Sequence, residues 1–123
     1  MVTAVTTLGR NGLADWLIQR VTAIVLTAYT IFILAYILCN PDLQYAQWRE
    51  LFDQTWMRAF SFVVLLSVAA HAWIGLWSVL TDYLTDRLLG PKGLVLRLLV
   101  LAIYALVTVG YLAWGIEILW GVR

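Results

Sequence analysis

Residues 57–83 read MRAFSFVVLLSVAAHAWIGLWSVLTDY, an apolar run with a histidine, His71, near its middle. A helix rises about 1.5 Å per residue, so about 20 apolar residues cross the hydrocarbon core of a bilayer, and this run qualifies as a transmembrane helix. An ionisable side chain at that depth is costly unless it faces protein, water or a cofactor, so the neighbours of His71 decide its role. At about 100° per residue, Ser67, Gly75, Ser78 and Asp82 lie within about 40° of His71, whereas Phe62, Leu66, Ala69, Trp73, Leu76 and Leu80 occupy the far side. One face is small and polar; the other is greasy.

Small residues let a neighbouring helix or a flat macrocycle come close to the backbone, and a histidine among them can present its imidazole to iron. The alternative is a helix–helix seam in which His71 only hydrogen-bonds a backbone carbonyl or a serine. Spacing alone leaves both readings open. The chain has one histidine, so a six-coordinate haem would need its second axial ligand from another chain, and the ligand reading therefore predicts a partner subunit. About twelve residues on, roughly 18 Å along the axis, the run ends in Asp82-Tyr83. Tyrosines are common belt residues at membrane interfaces, which is one account of Tyr83. Beside a polar intramembrane stripe, the same phenol can donate a hydrogen bond to a quinone carbonyl, with Asp82 tuning or relaying protons nearby.

Two more stretches are long enough to span, so the expected transmembrane helices cover roughly 16–38, 57–83 and 94–120 within a single membrane-anchor domain, 1–123. Composition agrees: 63% of the 123 residues are hydrophobic and 12% charged, at a mean hydropathy of +0.89. A water-soluble domain of this size could not hide so much apolar surface, so the fold class is all-α and integral to a membrane. A net charge of +1 offers no basic surface for nucleic acid. Cys39 has no partner cysteine, excluding a disulfide within the chain or a thiolate cluster, and reads as a small apolar or interfacial residue. The start lacks the features of a cleaved signal or an Arg-rich transit peptide, so a retained N-terminus and a bacterial inner membrane are expected.

The first connection opens with the turn signal Asn40-Pro41-Asp42 and continues from Gln44 to Trp56 with Trp48, Leu51, Phe52 and Trp56 at helical spacing, predicting a short interfacial helix. Gly90-Pro91-Lys92-Gly93 predicts a tight turn that breaks helix on both sides and makes an antiparallel hairpin of the second and third spans. Arg10, Arg20, Arg87, Lys92 and Arg97 fall on one side of the membrane, and Arg49, Arg58 and Arg123 on the other. The positive-inside rule then places the N-terminus in the cytoplasm and the C-terminus in the periplasm.

The stretch from His71 to Tyr83, HAWIGLWSVLTDY, resembles the corresponding segment of the bacterial succinate dehydrogenase hydrophobic membrane anchor subunit, the smaller, haem b-ligating anchor. Leu8-Gly-Arg-Asn-Gly12, Asp15, Arg20 and Thr22-Ala-Ile-Val-Leu-Thr27 are similar to that family at the same distance from the start; the third span matches only in length and hydrophobicity. The resemblance implies a heterodimeric bundle with a second anchor, the cytochrome b556 subunit, beneath an iron–sulfur subunit and a flavoprotein subunit. It implies that His71 is one axial ligand of the haem iron, that Arg20 lies near the haem propionates, and that Tyr83 hydrogen-bonds ubiquinone. Asp15 corresponds to an acid near a cytoplasmic proton route, although a first-turn carboxylate is also favoured by the helix dipole, and Arg20 can equally be a positive-inside anchor. Position 14 is Ala where relatives can carry histidine, and the turn at Gly90-Pro91 looks longer than in close relatives.

By that resemblance the chain does no dehydrogenase chemistry and has no catalytic residues of its own; it passes electrons from succinate to ubiquinone within a respiratory, tricarboxylic acid cycle complex. Two rivals are a fumarate reductase anchor, built on similar helices, and a cofactor-free structural membrane subunit. A small multidrug-type transporter would carry an intramembrane acid in its first span, whereas Asp15 sits at the edge of this one. Glu117, near the outer end of the third span, reads as an interfacial carboxylate.

Overall fold

The computed structural model describes residues 12–121. They form α1 (Gly12–Cys39), α2 (Tyr45–Asp53), α3 (Thr55–Tyr83), α4 (Asp86–Leu89) and α5 (Lys92–Trp120), with no strand among the described residues. α1, α3 and α5 have 28, 29 and 29 residues and are apolar enough to cross a membrane. Each begins two to four residues before the expected span. At roughly 1.5 Å per residue they are about 42–44 Å long, more than a hydrocarbon core of about 30 Å, so their polar first turns reach the headgroup layer. Leu8–Asn11, with Arg10, and also Arg123 lie outside the described residues.

The first connection behaves largely as its turn residues dictate. Asn40 folds back, its side-chain amide donating to the Tyr36 carbonyl at 2.8 Å, and Leu43 N–H closes the turn onto Asn40 O at 3.0 Å. α2 is held at its start by a reciprocal cap between Gln44 and Gln47. It stops at Asp53, short of the Trp56 boundary expected from periodicity, because Gln54 adopts an extended conformation and Trp56 belongs to the first turn of α3. Arg58 pins the corner: its Nε donates to Phe52 O at 3.1 Å and its Nη2 meets Asp53 at 3.4 Å, satisfying a carbonyl that the end of α2 leaves open.

The second connection is less simple than the expected four-residue break. A one-turn helix, α4, precedes it, and the reversal falls at Gly90, whose φ of 63° favours glycine. Pro91, at φ −59°, leads directly into α5, so Gly93 lies inside that helix's first turn rather than breaking it. Arg97 reaches back from α5 to donate to the Leu84 carbonyl at the end of α3. Orphan carbonyls at a helix end are thus capped by a neighbouring span, which fixes the hairpin.

α3 is the central helix: 22% of its apolar window is buried, against 6% for each of α1 and α5. Its small, polar face meets α1, and its greasy face meets α5, where Phe62 packs edge-on against Trp120 (5.6 Å), Trp73 lies 5.6 Å from Tyr104, and the Tyr104 hydroxyl donates to Ala69 O. Both pairings are antiparallel. α5 approaches the greasy side closely at Gly115, where a Cβ would sit 2.7 Å from Leu65 Cδ1. Gly115→Ala is expected to force Leu65 to another rotamer at a cost of about 1 kcal/mol, and Gly115→Leu to cost about 1–3 kcal/mol by overpacking. Thermal unfolding in detergent checks this; an unchanged melting temperature for Gly115→Leu would mean that α5 does not pack here.

The outward faces of α1 and α5 are rich in exposed Leu, Ile and Val, including Ile24, Ile31, Leu106 and Val107. These are faces for lipid or for another membrane helix. The chain is a multi-pass membrane protein.

Candidate functional site

The α1–α3 seam changes character along its length. At the end nearest α2 it is aromatic: Phe32 packs edge-on against Trp56 at 5.8 Å, and Tyr29 against Phe60 at 5.0 Å. At the same level the Tyr29 hydroxyl hydrogen-bonds Ser61 Oγ at 2.8 Å, and beyond it lie the buried hydroxyl residues Ser67 and Thr22. His71 comes next. Its Nδ1 lies 3.0 Å from Thr22 Oγ1, across the seam.

The other ring nitrogen is placed differently. His71 Nε2 makes no hydrogen bond with the described residues and is not sealed in by them. One turn along α3, a Cβ at Gly75 would meet only Gln19 Nε2, at an ordinary 3.9 Å. Gln19 is a second polar group in the seam, and its Oε1 is enclosed with no donor among the described residues. A half-buried imidazole fixed through one nitrogen, with the other open beside a small-residue surface, is the donor arrangement of a metal ligand with an oriented outer partner. The residues present therefore fit an iron-bound haem, which would take Nε2 as one axial ligand.

Not all the expected site residues gather here. Arg20 and Thr22 are two positions apart on α1 and so point about 160° from each other. The contact of Thr22 with α3 turns Arg20 to the opposite side, where it is exposed with its guanidinium 5.4 Å from the Trp16 ring centroid. It heads an open groove of about 490 Å³ along α1 that also includes Ala23, Thr27 and Ala28. Asp15, in contrast, lies on the seam side, one turn before Gln19, in the first turn of α1.

Asp82 and Tyr83 stand at the end of α3, about 18 Å along the axis from His71. Tyr83 is 67% exposed, and its hydroxyl has no hydrogen-bond partner among the described residues. The chain thus offers a phenol at one wall of a site, not an enclosed pocket. Ser78 turns its hydroxyl back onto Ile74 O at 3.1 Å instead of extending the polar stripe. A cleft of about 500 Å³ between α2 and α5, lined by Tyr45, Trp48, Arg49 and Glu117 among others, lies at the opposite end of the molecule from Tyr83.

Thr22 and Gln19 are the seam residues that sequence reasoning did not assign. Asp15, Gln19 and Thr22 recur at i, i+4 and i+7, which puts them on one face of α1, but Arg20 and Thr27 lie on the other face and blur the stripe in the sequence.

Three long apolar helices, the central one carrying a histidine on a small, polar face, make this a three-span integral membrane protein. Residues 3–112 match the family described as succinate dehydrogenase/fumarate reductase transmembrane subunit. The chain is also 39% identical over 114 residues to the succinate dehydrogenase hydrophobic membrane anchor subunit of Coxiella burnetii, covering 93% of each chain. The chain belongs to the succinate dehydrogenase/fumarate reductase transmembrane subunit family and is a membrane anchor subunit of that class. Catalytic subunits of the complex are therefore its partners.

Proposed function

We propose that this chain serves a succinate dehydrogenase of a bacterial inner membrane, giving haem b one axial ligand through His71 Nε2 and forming one wall of a ubiquinone site with Tyr83. The observation that carries the haem assignment is the pairing of His71 Nδ1 with Thr22 at 3.0 Å, while Nε2 has no hydrogen-bond partner among the described residues. A cytochrome b556 subunit would supply the second ligand, because the chain has a single histidine. An iron–sulfur subunit and a flavoprotein subunit would dock on the cytoplasmic side, where Arg87, Lys92 and Arg97 cluster and where the N-terminus is placed by the positive-inside rule.

Haem b, when bound, supplies a one-electron iron centre inside the membrane. His71 holds and orients, and its partner Thr22 keeps the ring from turning. Tyr83 donates its phenolic hydrogen to a quinone carbonyl, stabilising the negative charge that develops on oxygen as two electrons and two protons are added. Asp82, adjacent and exposed, is suited to proton delivery, and Asp15 on the seam side of α1 to an approach route from the cytoplasmic face. Arg20, exposed with its guanidinium over Trp16, serves the haem propionate region, with a positive-inside anchor as the alternative reading.

Fumarate reduction is the second reading, since the matched family includes both directions. The relative named for succinate dehydrogenase favours oxidation of succinate. Succinate–ubiquinone reductase activity of the purified assembly, compared with quinol–fumarate reductase activity of the same preparation, tests this; a dominant fumarate activity would reverse the assignment.

A further inference from the structure

We propose that Thr22 is a positioning residue that sets the tautomer of His71, keeping the proton on Nδ1 so that Nε2 presents a lone pair; the ligand part of this inference rests on the haem reading above. Thr22 Oγ1 lies 2.7 Å from Ile18 O, 3.2 Å from Gln19 O and 3.0 Å from His71 Nδ1. A carbonyl oxygen only accepts, so a hydroxyl held at 2.7 Å from one has its hydrogen directed there. That hydrogen is the only one the hydroxyl has, and the contact with Gln19 O shares it. Towards His71 the oxygen can therefore offer only a lone pair. Nδ1 must be the donor.

A neutral imidazole carries one N–H, so placing it on Nδ1 leaves Nε2 unprotonated. Thr22 is 7% exposed, which keeps out the water that would otherwise exchange with it. In the other tautomer the ring would direct an N–H at the iron, and no ligand bond would form. Donation from Nδ1–H also makes Nε2 a stronger electron donor towards a bound iron, which favours its ferric state.

The chain's one histidine makes a direct test practical. The full chain, carrying ring-15N histidine and a histidine-free tag, is examined by NMR in lipid bilayers at about pH 8, where a free imidazole is neutral. The expected spectrum shows a proton-bearing Nδ1 and a lone-pair Nε2. Thr22→Val, which keeps the shape and removes the hydroxyl, is expected to give a mixture of tautomers, and Thr22→Ser to restore the single form. A wild-type proton on Nε2, or a Thr22→Val spectrum identical to wild type, overturns the proposal.

In the assembled complex, Thr22→Val is expected to weaken haem retention by about tenfold and raise the haem midpoint potential, with Thr22→Ser returning both. Unchanged retention and potential in Thr22→Val would overturn the ligand role. A complex that lacks haem, alongside Nδ1–H in the isolated chain, would instead sink the haem reading and leave the tautomer assignment standing.

Discussion

Tyr83→Phe is expected to slow succinate-driven reduction of a ubiquinone analogue by at least about tenfold while leaving subunit assembly intact. The removed group is a single hydroxyl, and losing one donor to a developing oxyanion costs about 2.7–4 kcal/mol where the site is dry, less where water can replace it. Tyr83 is largely exposed on this chain and makes no internal hydrogen bond among the described residues, so its hydroxyl supports no fold contact that Phe would break. The check is a pair of assays on the same membranes: reductase activity with a quinone acceptor, and succinate oxidation with an artificial dye that takes electrons from the soluble subunits. Loss of the first alone is the expected result. Equal loss of both would place Tyr83 in assembly, as an interfacial belt residue, and remove it from the quinone site.

His71→Ala is expected to lower the haem-to-flavin ratio of the purified complex by about tenfold or more, with all three spans still inserted. The ring touches α1 through one hydrogen bond to Thr22, worth about 0.5–1.5 kcal/mol in net stability, whereas the rest of the seam is held by Tyr29–Ser61 and the Phe32, Trp56 and Phe60 cluster. Those contacts remain in the variant. The bond to iron has no evident substitute, since the chain has no second histidine and, among the described residues, no group of His, Cys, Asp and Glu side chains able to hold a metal. Protease protection of the loops measures insertion, and pigment extraction measures haem. A variant that fails to insert would make His71 structural.

The axial order of the molecule was readable from the sequence, whereas rotation about each axis was readable only in part. Apolar length located α1, α3 and α5, and the turn residues located both connections. On α3 the contrast between His71, Ser67 and Gly75 on one side and Phe62, Ala69 and Trp73 on the other separated a polar from an apolar face, and the contacts of His71 with Thr22 and of Phe62 with Trp120 show that the first meets α1 and the second α5. α1 gave no such clear contrast because its apolar residues run all the way round, so Arg20 could be assigned a depth but not a direction. Its direction follows from tertiary contacts, Thr22 with His71 and Tyr29 with Ser61, which turn Arg20 away from α3.

The boundary differences have local causes. α2 and α3 are separate because Gln54 is extended, although the Trp48–Trp56 periodicity runs straight across it. Gly93 reads as a breaker by residue type, but Pro91 initiates α5 and the amide of Gly93 bonds Gly90 O at 3.0 Å, so the glycine is carried into the helix. Thr22 was named only within the Thr22–Thr27 stretch and given no role of its own, because a threonine in a transmembrane helix usually bonds its own backbone, which it also does here. Only the position of His71 across the seam shows the second use of that oxygen.

The low-temperature EPR spectrum of the oxidised, purified assembly, recorded for wild type and His71→Ala in parallel, bears most directly on the claim that this chain ligates haem. The account predicts the low-spin ferric signal of a six-coordinate haem in wild type, replaced in His71→Ala by a high-spin signal or by none. A low-spin signal unchanged in the variant, or a wild-type assembly with every partner subunit present and no haem signal, would contradict it and leave His71 as a seam residue hydrogen-bonded to Thr22.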